Sequence, residues 1–151
     1  MFIALKFRAV AALFLVALLT CESAIASERE ESTGVRHIPL TTQAISTDPG
    51  QSLTAVVVEL APGAKVPSHH HAGIVFAYVL EGTVRSQLDR GKVVTYHAGQ
   101  SWTEPPGTEH TLTENPSHTQ PARLLATFIA PTGARLTTMT SEEAHGQKGE
   151  Q

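Results

Sequence analysis

Turn residues recur at short intervals along this chain and cut it into apolar runs too brief for helices. Ala61-Pro62-Gly63 ends the valine-rich run Leu53 to Leu60, and Glu81-Gly82 ends Ile74 to Leu80. Thr83 to Leu88 follows, with Asp89-Arg90-Gly91 as a hairpin turn into Lys92–Tyr96. Gly99 opens another short run that stops at Pro105-Pro106-Gly107. His110 to Thr113 and Arg123 to Ile129 complete the series before Pro131. Strands of this length with turns at this spacing predict an all-β sandwich or barrel. No long amphipathic helix and no repeat of solenoid period competes with that reading.

The ends carry a different signal. Lys6 and Arg8 give a basic start, Ala9 to Leu19 is an unbroken apolar run, and Ala24-Ile25-Ala26 offers a small-x-small cleavage site. This is the pattern of a signal peptide over residues 1–26, with the mature chain beginning at Ser27 and a periplasmic or secreted destination. The apolar run falls well short of the roughly 20 residues of a spanning helix. Leu18-Leu19-Thr20-Cys21 also resembles a lipoprotein signal, so membrane contact is expected only through an uncleaved or lipidated leader. Residues 27–34 read as a flexible arm, 35–136 as one compact β domain, and 137–151 as a polar, disordered tail.

The sole cysteine, Cys21, leaves with the leader, which removes disulfides and thiolate metal ligands from the mature domain. Lys6, Arg8 and Glu22 leave with it, so 9 basic and 13 acidic residues remain. That net charge of −4 gives no footing for nucleic-acid binding.

His69-x-His71 is the chemical feature of the domain. In an extended strand these two imidazoles project to one face and His70 to the other. A third imidazole from another strand, His110, would complete a facial set with open positions for a divalent transition metal. On its own the triplet His69-His70-His71 would also suit a solvated loop; His110 downstream is what favours a site. His37, His97, His118 and His145 read as solvated or capping histidines.

The spacing of these residues resembles the cupin superfamily. Its first motif runs from Gly63 through His69-x-His71 to Gly82, and its second from Gly99 through Pro105-Pro106-Gly107 to His110. Asn115 arrives one residue later than the second motif asks. The resemblance implies a double-stranded β-helix, or jelly-roll barrel, whose inner face encloses a ligand cavity. It also implies Val75, Ala77 and Val79 as inward-facing wall residues, with Phe76, Tyr78 and Leu80 turned toward a second sheet or a partner subunit. A homodimer is a further expectation from the same source.

One motif position departs from the pattern. The glutamate that completes the family's ligand set falls at position 75, where this chain has Val75. Three imidazoles can still hold iron, manganese, zinc, nickel or copper with solvent completing the shell. A centre without its carboxylate would carry more positive charge and favour anionic ligands. Glu104 is the candidate substitute, as fourth ligand or as general base, if its strand face turns inward. Trp102 shares that face, either as cavity wall or as a packing residue. Arg85 and Gln87 share another strand face and could meet a polar ligand.

The expected function is a small exported metal-binding protein acting on a small organic molecule. A metal-dependent dioxygenase and an isomerase or lyase are the enzyme classes that the resemblance implies. The alternative is a non-catalytic small-molecule or metal-binding module, and fold alone does not choose among them.

Overall fold

The structure, a computed structural model, describes residues 34–140. The leader, most of the arm expected over 27–34 and the end of the tail lie outside the described residues. Eleven strands form two sheets. They are β1 (Val35–Ile45), β2 (Asp48–Leu60), β3 (Lys65–Val66), β4 (His69–His71), β5 (Ile74–Glu81), β6 (Thr83–Leu88), β7 (Val94–His97), β8 (Ser101–Glu104), β9 (Glu109–Glu114), β10 (Ala122–Pro131) and β11 (Thr137–Met139).

The first sheet has the order β1-β2-β10-β5-β8, and the second the order β11-β4-β9-β6-β7, with β3 beside β9. Every pairing is antiparallel. From β4 onward the chain steps repeatedly between the two sheets, which is the winding of a jelly roll. The all-β barrel expected from the turn spacing is what the chain forms.

Period-two alternation explains which residues are inside. On β5, Val75, Ala77 and Val79 are buried, while Ile74, Phe76, Tyr78 and Leu80 are exposed. The register then builds an inner-face grid across the first sheet. Val58, Leu124 and Val79 form one row, Val56, Ala126, Ala77 and Trp102 the next, and Phe128, Val75 and Glu104 a third. Leu60, Val79 and Val84 have no exposed surface, and each such side chain contributes roughly 1.5–3 kcal/mol relative to an exposed position.

Two expectations need correction. Of the two settings expected for Phe76, Tyr78 and Leu80, a second sheet or a partner subunit, the first is not met; they lie 36–44 % exposed on the outer face of the first sheet. The tail does not become irregular at residue 137. Thr137, Thr138 and Met139 pair with His71, His70 and His69, so β11 covers what would otherwise be an open edge of β4. Thr140 extends the attachment, its N–H donating to the Ser68 carbonyl at 3.0 Å.

Two glycines help seat the histidines, one by a close approach and one by its backbone conformation. Gly73, where the chain leaves β4 for the other sheet, runs so near β10 that a Cβ there would sit 2.0 Å from the Ile129 carbonyl oxygen. Gly107 has φ +75°, a conformation costly for other residues. Its N–H donates to the His71 carbonyl at 3.1 Å, tying the Pro-Pro-Gly turn directly to β4.

Candidate metal centre and cavity

His69 and His71 point inward from β4 and His110 inward from β9, where His110 is the register partner of His69. All three are buried, and each offers one ring nitrogen within 4.8 Å of the others. Their rings lie close, with centroids 4.9 Å apart for His69–His71 and 5.1 Å for His69–His110. His70, the middle residue, pairs with Glu109 and takes no part in the cluster.

The tautomers of the first two rings follow from their partners. His69 Nδ1 lies 2.7 Å from the Pro67 carbonyl oxygen, and His71 Nδ1 3.1 Å from that of Leu136. A carbonyl only accepts, so both Nδ1 atoms carry the proton and both Nε2 lone pairs are free. Such outer hydrogen bonds are what fix an imidazole for metal ligation. His110 differs. Its Nε2 lies 2.8 Å from the Ser86 hydroxyl and 2.9 Å from that of Thr113, while its Nδ1 lies 3.3 Å from Glu104 Oε1. Hydroxyls both donate and accept, so either His110 tautomer is satisfied there.

Glu104 closes the group. It is only 2 % exposed. Its Oε1 accepts from Trp102 Nε1 at 2.9 Å, and its Oε2 stands 3.6 Å from His71 Nε2. That Oε2 is buried without a hydrogen-bond partner. The carboxylate occupies the register position opposite Val75, so the space left by the missing motif glutamate receives a carboxylate from the neighbouring strand.

Electrostatics keep His69 and His71 neutral. Burial lowers His69 to about 4, against the raising effect of its bond to Pro67. Burial lowers His71 too, with Glu104 pulling the other way. For Glu104 burial disfavours the charge, but the hydrogen bond and charge of His110, then His71 and Trp102, outweigh it and hold the carboxyl below its usual range. Neutral imidazoles beside an ionised carboxylate are the protonation states that metal ligation requires. An orphaned carboxylate oxygen among free imidazole nitrogens fits a divalent transition metal.

A cavity of about 330 Å³ opens beside the cluster. Val75, Ala77 and Trp102, the wall residues expected from the sequence, all line it, as does Glu104; Val79 is buried outside the lining. Trp102 is stacked on Tyr96, with centroids 4.5 Å apart. Arg85 and Gln87 do not reach the cavity: Arg85 Nε binds Glu114 at 2.6 Å, and Gln87 binds the Gly91 carbonyl at 2.7 Å. Other lining residues escaped the sequence reading, among them Thr137, Met139 and His37. Thr137 and Met139 arrive on β11, and His37 stands at the exposed edge of the cavity on β1, as the partner of Val58. The alternation His37, Pro39 opposite Val58, Val56 carries the signal for His37, but only once the β1–β2 register is known.

A family model described as "Cupin domain" matches residues 56–128, a span that contains all three histidines and Glu104. The chain belongs to the cupin superfamily. Among solved structures, this cupin is similar to an RmlC-like cupin from Shewanella frigidimarina, at 25 % identity and TM-score 0.55, covering 67 % of this chain and 80 % of that one. It is also similar in fold to KdgF from Halomonas sp., at 19 % identity and TM-score 0.53, covering 66 % and 82 %. The DMSP lyase DddQ from Ruegeria pomeroyi matches at 21 % identity and TM-score 0.53, covering 60 % of this chain and 44 % of that one. No curated protein matches in sequence.

Proposed function

We propose that this cupin is an exported protein that holds a divalent transition metal on His69, His71, His110 and Glu104 and presents it to a small organic molecule in the adjoining cavity. The observation that carries the reading is Glu104 Oε2, buried, unpartnered and 3.6 Å from His71 Nε2. A bound divalent ion supplies Lewis-acid polarisation of a ligand oxygen and makes bound water more acidic. The chain's own part is to keep His69 and His71 neutral, one carboxylate ionised, and the surroundings dry. Oxidative chemistry of the dioxygenase type and proton-transfer chemistry of the isomerase or lyase type both use such a centre.

A non-catalytic binding module is the second reading, and the cavity wall favours it. With Glu104 committed to the metal, His37 at the cavity edge is, among the described residues, the only other titratable side chain in the lining. A centre with one peripheral acid–base group suits capture of a ligand as well as turnover.

Metal analysis of purified protein tests the shared part. A stoichiometric metal that His110→Ala abolishes supports the centre; absence of metal at any supply sinks it. Oxygen uptake during a small-molecule screen separates a dioxygenase from a binder. Export predicts a mature N-terminus at Ser27. The outer row Ile74, Phe76, Tyr78 and Leu80 makes self-association through the first sheet the natural assembly, which light scattering reads directly.

A further inference from the structure

The cavity is chemically lopsided. Its polar groups gather at the histidine end, where Phe128 packs on His71 and Met139 pairs with His69, while the wall beyond is built from Val56, Val58, Leu124 and Ala126, with His37 beside Val58 at the exposed edge. Among the described residues, no lysine or arginine lines it. Nearby cations are engaged elsewhere: Arg36 and Arg123 pair with Glu59, and Lys65 and Arg85 pair with Glu114.

The neutral polar groups stand at the histidine end as well. Thr113 Oγ1 lies 2.9 Å from His110 Nε2, and Thr137 Oγ1 3.1 Å from His71 Nδ1. Trp102 Nε1–H is spent on Glu104. A ligand hydroxyl or charge placed against the far wall, inward of the exposed edge where His37 stands, would lose water and gain no partner. Such a loss costs on the order of tenfold or more in binding per group. Charge is penalised further, because an unpaired ion is poorly tolerated in apolar surroundings.

Resting on the reading that this cavity takes a small molecule, we propose that its ligand has an uncharged, apolar body with a single polar function directed at the histidine end. Sugars, sugar acids, phosphate esters and dicarboxylates are excluded as ligands. At the ~30 Å³ that one water occupies, the cavity has room for roughly a dozen non-hydrogen atoms. Phe128 and Trp102 supply flat surfaces against which an alicyclic or aromatic ring packs. The polar function meets the imidazoles and Glu104; the body fills the far end.

Trp102 is the chain's only tryptophan and lines the cavity, so its emission reports occupancy without any turnover. Three probes divide the possibilities: 4-tert-butylcyclohexanone, 4-oxocyclohexanecarboxylate and inositol. The first two share the ketone and differ in whether the opposite end is apolar or charged. The expected result is saturable binding of the tert-butyl ketone, at least tenfold tighter than the carboxylate, with no response to inositol. Equal or tighter binding of the carboxylate or of inositol overturns the proposal, as does binding of none of the three.

Each titration is run on metal-loaded and on chelator-treated protein, with metal content measured separately. Protein that holds no metal yet keeps the preference would sink the metal reading and leave this inference standing. Val58→Lys places a cation on the far wall, from a half-buried position. It should bring the two ketones to parity or reverse their order. An unchanged order in folded V58K protein means that the wall does not touch the ligand, and overturns the proposal.

Discussion

Val75 and Glu104 face each other across the β5–β8 pair, on the inner surface of the first sheet. Directly opposed residues on one face place their Cβ atoms about 5 Å apart, so either can send a carboxylate to the same space. The family pattern puts the acid on β5; this chain puts it on β8. Glu104→Gln should then weaken metal binding by about tenfold or more, within or above the range for altered ligand surroundings. Val75→Glu combined with Glu104→Val should restore most of that affinity. Competition with a metal-buffering chelator measures both. A double variant no better than Glu104→Gln would show that the two positions do not share a ligand site.

Low pH should unfold the metal-free protein by a route that can be traced to the cluster. His69 is lowered to about 4 by burial, whereas the unfolded chain takes up that proton near 6.5. Between those values the unfolded state binds more protons, so stability falls as pH falls. At ~1.4 kcal/mol per unit, His69 alone accounts for roughly 3 kcal/mol on going from pH 7 to 4. His71 is shifted in the same direction. Glu104, lowered too, adds a loss as pH drops through its folded value. Thermal melts in chelator should show Tm falling by roughly 10 °C or more between pH 7 and 4.5. A flat profile would mean that the imidazoles are not held neutral.

Ser86 and Thr113 should act on the metal through His110. Their hydroxyls hold Nε2 at 2.8 and 2.9 Å and accept its proton when Nδ1 is needed as a ligand. Ser86→Ala with Thr113→Val leaves that nitrogen with no partner. The expected outcome is a fall in metal affinity of about 10- to 100-fold. Far-ultraviolet circular dichroism and Tm of the chelated variant separate this from misfolding. Thr113→Ser, which keeps the hydroxyl, should stay close to the parent.

Much of this was legible in the sequence because burial obeys strand parity. Ala77 opposite Trp102 and Val75 opposite Glu104 follow from period two once the strands are named. What the sequence leaves open is which face turns inward and which strands become neighbours. Glu104 thus reads equally well as a surface acid until β8 is seen against β5. The polar run Thr137-Thr138-Met139 has no apolar alternation to announce a strand; it is ordered by the edge that β4 offers. His37 sits in a strand that is exposed over most of its length, so nothing local distinguishes it.

Asn115 supplies a prediction about stability that is separable from the metal. It is 2 % exposed, and its Nδ2 donates to the carbonyls of Leu60, Ala61 and Gln120 at 3.1, 3.2 and 2.8 Å. Its Oδ1 accepts from the Ser117 N–H at 3.0 Å. One amide thus ties the end of β2 to the loop that leads into β10, and its backbone N–H is bound to the Ala64 carbonyl at 2.9 Å. Replacing it with alanine removes the amide and leaves buried carbonyls with no donor. A buried group left unsatisfied costs about 1–3 kcal/mol, so Asn115→Ala should lose roughly 2–4 kcal/mol in urea denaturation, with the m-value unchanged. The imidazoles are held by other partners, so metal affinity of the folded variant should stay within about threefold of the parent. A large loss of metal affinity in a stably folded variant would place Asn115 in the centre's support and refute a purely structural role.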